Sequence, residues 1–251
     1  MTCGTDLQLC PQRVKSKEMT DKHLSTQFDS ELSAVSTRVM EMGGMVESQI
    51  RMAVHALSEF SEEAAAQVKD IETRVNLMEV EIDRELSSII ARRQPTARDL
   101  RLLVAISKTT ANLERTGDEA VKIARMVKSI IGSGAARTLP ASELHVAADL
   151  ASGLLRKALD AFARLDTNVA VSILKEDDLI DREFDGFVRK LITYMMEDPR
   201  TISASLDLLF VAKAIERIGD HAKNIAEFII YVVKGADVRH ASMEQIESVV
   251  R

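Results

Sequence analysis

Ile215-Glu216-Arg217-Ile218-Gly219-Asp220 has a second copy earlier in the chain, Leu113-Glu114-Arg115-Thr116-Gly117-Asp118. Both copies contain Glu-Arg-x-Gly-Asp, so each places two carboxylates four residues apart, on one face of a helix. Apolar residues surround the later copy at helical spacing. They are Leu208, Val211, Ala212, Ile215, Ile218, Ala222 and Ile225. Like charges at this spacing destabilise an exposed helix by roughly 0.2–0.5 kcal/mol. A pair that occurs twice therefore indicates that a cation offsets the repulsion.

The composition of the 251-residue chain favours long helices, because it contains only 10 Gly and 4 Pro. A net charge of −6 argues against a general nucleic-acid binder, so we expect no nucleic acid among the partners. No apolar run is long enough to span a membrane. Cys3 and Cys10 have no nearby His or Cys partner, which excludes a CxxC or zinc site. With no disulfide framework or signal peptide, we expect a cytoplasmic protein.

Apolar periodicity and helix-capping residues predict six long helices. Their predicted spans are 28–60, 61–93, 96–131, 140–165, 166–198 and 199–235. Ser61 and Asp166 are N-cap residues at the start of the second and fifth helices, and Thr96-x-x-Asp99 resembles a capping box. The tail over residues 236–251 is weakly patterned. Residues 1–18 have no helical period, and we interpret them as an expression-vector remnant or a disordered extension.

The six helices form two similar sets of three. A shift of 105 residues lays Ser61 over Asp166, and a shift of 102 lays the first Glu-Arg-x-Gly-Asp copy over the second. The predicted fold class is therefore all-α, with two tandem three-helix bundles related by internal duplication. The first bundle covers 22–131 and the second 140–235, and we expect a pseudo-twofold axis between them.

Each repeat contains two polar pairs at helical i, i+4 spacing. The first acidic cluster comprises Glu72, Asn76, Glu114 and Asp118, and the second comprises Asp177, Asp181, Glu216 and Asp220. Carboxylates at close range cannot all stay ionised without a cation, and oxygen ligands suit Mg²⁺, Mn²⁺, Ca²⁺ or iron. The alternative is that these are solvated acids on amphipathic helices. Because Asn76 is neutral, we expect the second acidic cluster to bind metal more tightly.

Other motif residues allow two interpretations each. Gly117 and Gly219 indicate close approach of a neighbouring helix or of a ligand. Arg115 and Arg217 orient carboxylates or bind an anion, or they form surface salt bridges of little energetic weight. His221 is an additional ligand or simply an exposed side chain. No Glu-x-x-His and no nucleophile with an adjacent base occurs in the sequence.

Several motifs in order carry a resemblance to a known family. They are Gln27-Phe28-x-x-Glu31-Leu32, Met40-x-Met42-Gly43-Gly44-Met45-Val46-Glu47, Arg93-Gln94-Pro95-Thr96-Ala97-x-Asp99-Leu100-Arg101, Ile106-Ser107-Lys108, both Glu-Arg-x-Gly-Asp copies and Tyr194-Met195-Met196-Glu197-Asp198. Over roughly residues 22–240 the chain resembles the PhoU family of bacterial phosphate-uptake regulators. The resemblance implies two three-helix bundles and negative regulation of phosphate uptake and of the phosphate-starvation response.

The resemblance also implies partners and metals. The implied partners are the ATPase subunit of a phosphate ABC transporter and a phosphate-sensing histidine kinase, which would provide the only association with the membrane. We also expect a homodimer. Some relatives carry iron or zinc clusters on Glu/Asp-x-x-x-Asp motifs, which map here onto Glu114/Asp118, Glu216/Asp220 and Asp177/Asp181. Iron, zinc, manganese and magnesium are therefore the expected metals, and Asn76 is the departure from the pattern.

Two classes of function remain open at this point. The first is a non-enzymatic regulatory adaptor, and the second is a carboxylate-bridged metal enzyme, either an oxidase or a phosphoesterase. The missing Glu-x-x-His and the missing nucleophile favour the adaptor. We therefore predict that the protein is not an enzyme and has no catalytic residues.

Overall fold

The computed structural model of this protein describes residues 26–134 and 139–251. The predicted extension over residues 1–18, with both cysteines, lies outside the described residues. So do residues 135–138 of the linker between the repeats.

The described residues are helical apart from short connections and contain no strand, as the sequence predicts. The helices are α1 (Thr26–Glu59), α2 (Glu62–Arg93), α3 (Ala97–Gly132), α4 (Leu144–Arg164), α5 (Thr167–Glu197), α6 (Ile202–Lys234) and α7 (Met243–Val250). Short 3₁₀ turns precede α4 and α6, at Ala141–Glu143 and Pro199–Thr201. The all-α fold of two three-helix bundles is confirmed.

The helices form two layers. Helices α2, α3, α6 and α5 lie side by side in that order, and the α3–α6 contact is the most extensive in the molecule. Helix α1 packs on α2 and α3, α4 packs on α5 and α6, and α1 and α4 contact each other. On the opposite, open side of the four-helix layer the described residues include no helix longer than α7, so α3 and α6 each leave one exposed stripe there. Arg115 and Arg217 lie on these stripes.

Helices α3 and α6 run antiparallel along their length. The Lys108 ammonium lies over the Phe228 ring, 5.4 Å from its centroid. Farther along α3, Asn112 Oδ1 lies 3.1 Å from His221 Nδ1, so rising residue numbers on α3 face falling numbers on α6. The two repeats therefore meet through their third helices, which carry the Glu-Arg-x-Gly-Asp motifs.

Two predicted caps are present and one is not. Ser61 Oγ accepts a hydrogen bond from the backbone N–H of Ala64, and Asp166 Oδ1 accepts from the N–H groups of the two residues after Thr167. The prediction of a capping box at Thr96 is wrong, because that side chain makes no cap hydrogen bond. Its hydroxyl donates instead to Asp99 Oδ2, at 2.9 Å.

The second repeat departs from the sequence expectation at its two ends. Pro140 precedes a 3₁₀ turn rather than the first turn of α4. The weakly patterned tail contains α7, whose N-cap Ser242 forms a capping box with Gln245. Helix α7 contacts both α5 and α6. No described helix is both long enough and apolar enough to cross a membrane.

Close helix approach explains one of the adjacent glycines Gly43 and Gly44 of α1. A Cβ at Gly43 would lie 2.7 Å from Leu159 Cδ1 of α4, whereas a Cβ at Gly44 would meet nothing within 4 Å. Gly43 therefore marks the point where α1 and α4 cross.

Loss of the Asp166 cap should lower stability measurably. We expect Asp166→Ala to reduce the free energy of unfolding by about 1 kcal/mol, because two backbone N–H groups of α5 lose their acceptor. Asp166→Asn keeps an acceptor oxygen and should stay close to the wild type. Urea unfolding followed by circular dichroism measures both, and equal loss in the two variants would contradict the capping role.

Candidate metal centre

The structure brings three carboxylates of the first acidic cluster together. Oxygen atoms of Glu72, Glu114 and Asp118 all lie within 4.8 Å of one another. Helices α2 and α3 face each other in antiparallel register, as the bond from Ser107 Oγ to Asp83 Oδ1 shows. That register places Glu72 level with Asp118. Oxygen side chains at this spacing form a donor set that hard cations prefer.

Gln49 of α1 packs beneath this cluster, although it is not among the site residues predicted from the sequence. Its Nε2 donates to Glu72 Oε2 at 2.7 Å and to the carbonyl oxygens of Val68 and Gly117 at 3.3 and 3.4 Å. The side chain is fully buried, yet Gln49 Oε1 has no hydrogen-bond partner in the described structure, and neither has Glu72 Oε1. The signal in the sequence was an amide residue within the apolar stripe of α1, because a polar side chain that is buried there needs hydrogen-bond partners.

Gly117 permits this packing without displacing the neighbouring side chains. A Cβ there would lie 2.9 Å from both Gln49 Oε1 and Glu72 Oε2. The glycine therefore lets α3 approach the side chains of Gln49 and Glu72 closely. A larger residue at this position would displace them. The close-approach interpretation of Gly117 agrees with this geometry.

The carboxylates of the first acidic cluster favour protonation or a cation. Burial, followed by the charges of Asp118, Glu79 and Glu72, raises the pKa of Glu114 to about 7. Burial is also the main cause that raises the pKa of Glu72, against the hydrogen bond from Gln49. Burial, Asp83 and Asp118 raise the pKa of Glu79 in the same way. Glu79 lies one turn beyond Asn76 and belongs to this acidic face, although the sequence analysis did not select it.

Lysines accompany the second acidic cluster. Lys223 Nζ lies 2.8 Å from Asp177 Oδ2, and Lys213 Nζ lies 2.6 Å from Glu216 Oε1. Burial and the neighbouring carboxylates still raise the pKa values of Asp181 and Asp220. Part of the charge that a metal would neutralise in this cluster is already neutralised by the two ammonium groups.

The difference between the clusters follows from two positions at which the repeats diverge. Lys223 lies where the first repeat has Val121, under the shift that aligns the two motifs. Under the shift that aligns the caps Ser61 and Asp166, Gln49 corresponds to Leu154 of the second repeat. The geometry thus favours the first acidic cluster for metal, the reverse of the ranking expected from Asn76 alone. Asn76 itself is exposed, and its amide lowers the pKa of Glu72 against the larger effect of burial.

His221 is buried, so the interpretation of it as an exposed side chain is wrong. Asn112 Nδ2 donates to the Lys108 carbonyl, so Asn112 Oδ1 accepts from Asn224 Nδ2 and from His221 Nδ1–H. Burial and then the charges of nearby cations, Arg115 first, lower the pKa of His221 to about 4. His221 is therefore neutral at physiological pH and joins α6 to α3.

The remaining motif residues lie between the two clusters. A Cβ at Gly219 would lie 2.7 Å from Ile180 Cδ1, so this glycine also permits close helix approach. Arg217 Nε is 3.8 Å from Glu119 Oε1, which is a long contact. Arg115 makes no hydrogen bond or ion pair to any residue that the structure describes.

Comparison with known proteins agrees with this architecture. The family model for the PhoU domain matches twice, over residues 39–127 and 144–229. The two matches fall on the two bundles and together cover most of the chain. The chain belongs to the PhoU family. Its duplication is thus a tandem pair of PhoU domains.

Named PhoU proteins align over nearly the whole chain. A Burkholderia protein named phosphate-specific transport system accessory protein PhoU homolog is 51% identical over 229 residues, which are 91% of this chain and 97% of the relative. The Escherichia coli K12 accessory protein PhoU is 47% identical over 90% of this chain and 93% of its own length. The crystal structure of PhoU from Pseudomonas aeruginosa covers 84% of this chain and all of its own, with a TM-score of 0.81 and 44% identity. A Streptococcus pneumoniae PhoU structure reaches a TM-score of 0.78 at 26% identity.

The raised carboxyl pKa values predict a stability that falls with rising pH. Glu114 titrates near 4.5 in the unfolded chain and near 7 when folded, so the folded state binds more protons between these values. Its contribution is fully present below the lower pKa and is lost as pH rises through the upper one. We expect the melting temperature of metal-free protein to fall between about pH 5 and 8, and to fall less in Glu114→Gln.

Glu41→Gln, on an exposed part of α1, serves as the matched control. Differential scanning fluorimetry in the presence of a chelator measures all three proteins. The same pH slope in Glu114→Gln as in the wild type would contradict the raised pKa.

Proposed function

We propose that this protein is a negative regulator of phosphate uptake and of the phosphate-starvation response. It acts in the cytoplasm as a non-enzymatic adaptor between a phosphate ABC transporter and a sensor histidine kinase. The observation that carries this proposal is the near-full-length similarity to proteins named phosphate-specific transport system accessory protein PhoU. Within that frame, the ATPase subunit of the transporter and the kinase are the partners.

The first acidic cluster is the proposed metal site of this adaptor. Its residues fit a hard cation, because three carboxylates converge and two buried oxygens, Gln49 Oε1 and Glu72 Oε1, have no other partner in the described structure. Mg²⁺, Mn²⁺, iron and zinc are the candidate ions. A bound cation would neutralise the charge of Glu72, Glu114 and Asp118.

The chain's own residues then give the two repeats different roles. In the second repeat Lys223 supplies a permanent cation to Asp177, so α5 and α6 are joined without an added ion. In the first repeat the corresponding position is Val121, so the repulsion between α2 and α3 depends on protons or metal. We propose that the packing of the first repeat varies with pH and bound metal, whereas the packing of the second repeat stays constant.

Metal titration tests this assignment. We expect Mn²⁺ to bind the first acidic cluster, with affinity lowered on the order of tenfold or more in Gln49→Leu, because the supporting amide is lost. Asp118→Asn should weaken the same site further, by removing ligand charge. Calorimetric titration of chelator-stripped protein measures both variants.

The matched control exchanges the residue that distinguishes the repeats. In the Asp118→Asn background, Lys223→Val should strengthen residual Mn²⁺ binding, because Asp177 loses its ammonium partner. Stronger loss in Asp220→Asn than in Asp118→Asn would instead support the ranking expected from the sequence. Absence of Mn²⁺, Fe²⁺ and Zn²⁺ binding by the wild type would refute the metal site altogether.

The regulatory role has its own test in cells. We expect Asp118→Asn to derepress a starvation-promoter reporter in phosphate-rich medium while circular dichroism shows an unchanged helical fold, since exposed substitutions cost little stability. Glu41→Gln is the control and should repress normally. Full repression by a well-expressed Asp118→Asn protein would show that the cluster is structural. Phosphatase or oxidase turnover that depends on Asp118 would show that the protein is a metal enzyme rather than an adaptor.

A further inference from the structure

A cavity of about 700 Å³ lies beside α6, on the open side of the four-helix layer. Its walls come from α3, α5, α6 and the C-terminal tail. The volume is within the usual range for sites that bind small molecules. The metal-site proposal does not use this cavity.

The part of the cavity wall that comes from the C-terminal tail is held against α5 and α6 by two contacts. Lys175 of α5 pairs with Glu247 of α7 at 2.5 Å, and Lys234 donates to the Val250 carbonyl at 2.7 Å. Met243 and Ile246 of this tail line the cavity. The equivalent point of the first repeat leads into the linker to α4, so this wall belongs to the second repeat.

The lining carries five Lys or Arg side chains and three Asp or Glu side chains, although the chain as a whole has a net charge of −6. Three of the cations pair with carboxylates outside the lining: Lys175 with Glu247, Lys223 with Asp177 and Arg239 with Asp237. Within the part of the chain that the structure describes, the two arginines of the Glu-Arg-x-Gly-Asp motifs have no closer ion pair than 3.8 Å.

These two guanidinium groups come from different repeats. Arg115 of α3 has no ion-pair partner among the described residues, and Arg217 of α6 has only the 3.8 Å approach to Glu119. Glu119 is already bonded to Lys122 at 2.6 Å. Both arginines line the cavity, which places two weakly compensated guanidinium groups at the junction of the repeats.

We propose that this cavity binds orthophosphate between Arg115 and Arg217. A guanidinium presents paired N–H donors that match phosphate oxygens, and a tetrahedral anion can accept from two arginines on different helices. Lys223 and Asn224 line the same side of α6 and carry N–H groups besides those that bond Asp177 and Asn112. Orthophosphate occupies the end of the cavity between the two motifs.

Asp220 makes the site selective among anions. It lines the cavity one turn from Arg217, where its carboxyl oxygens can accept a hydrogen bond. Orthophosphate keeps a proton at neutral pH and donates its O–H to such an acceptor. Sulfate has no proton and meets repulsion instead. The mixture of cations and one acceptor therefore favours phosphate over sulfate.

The regulatory meaning of this site rests on the proposed function, in which the bound phosphate reports an ample supply. Binding itself does not depend on it. If the protein binds phosphate but does not repress the reporter, the regulatory role is refuted and the phosphate site stands. If the protein represses the reporter but binds no phosphate, the phosphate site is refuted and the regulatory role stands.

Equilibrium dialysis of the full chain against labelled orthophosphate, with chelator present to remove metal-mediated binding, tests the proposal. We expect Arg115→Gln and Arg217→Gln each to weaken binding on the order of tenfold or more, because each loses a charge-assisted contact. Arg189→Gln, an exposed arginine on α5, should bind as the wild type does. Thermal melting checks that the variants are folded.

Sulfate competition supplies the second readout. We expect sulfate to displace phosphate from the wild type only at concentrations about tenfold higher or more, and Asp220→Asn to narrow this difference. No phosphate binding by the folded wild type, or unchanged binding in both arginine variants, would overturn the site. Equal competition by sulfate would overturn its specificity for phosphate.

Discussion

The antiparallel packing of α3 against α6 fixes how the two Glu-Arg-x-Gly-Asp motifs lie relative to each other. At its centre Asn112 is buried, and a buried amide destabilises the fold unless its hydrogen bonds are made. Its Nδ2 donates to the Lys108 carbonyl within α3. His221 and Asn224 of α6 reach its Oδ1 only when the two helices are in one register. A shifted register would leave these groups without partners. The network therefore provides specificity to an interface that is otherwise apolar.

This register also explains why motif residues with one sequence have two kinds of neighbour. On each third helix the two carboxylates face the second helix of the same repeat, where Glu72 or Asp177 lies. The arginine between them lies at the other edge, toward the junction of the repeats, where Arg115 and Arg217 line one cavity. A single motif thus contributes to an acidic seam on one side and to a cationic cavity on the other.

The two acidic seams have diverged in how their charge is balanced. Both need a glycine at the point of closest approach, and Gly117 and Gly219 meet the side chains of Glu72 and Ile180 respectively. A mid-helix glycine costs about 1 kcal/mol relative to alanine, which the close packing offsets. In the first seam a buried amide supports the carboxylates, whereas in the second Lys213 and Lys223 neutralise part of their charge. The same scaffold therefore holds one seam without a lysine partner and one whose charge is partly balanced by lysines.

The sequence by itself determined the helical class and the duplication, and it selected the three carboxylates that converge in the first repeat, Glu72, Glu114 and Asp118. Periodicity, caps such as Ser61 and Asp166, and the repeated motif are local signals, and local hydrogen bonds and apolar spacing are what they report. It did not determine the contribution of Gln49, the burial of His221 or the docking of the tail as α7. Those depend on which helices become neighbours, and Gln49 meets Glu72 only because α1 crosses both α2 and α3. The i, i+3 spacing of Lys213 and Glu216 is local, but only tertiary structure placed Lys223 of α6 beside Asp177 of α5, since charge balance between helices depends on distance in space.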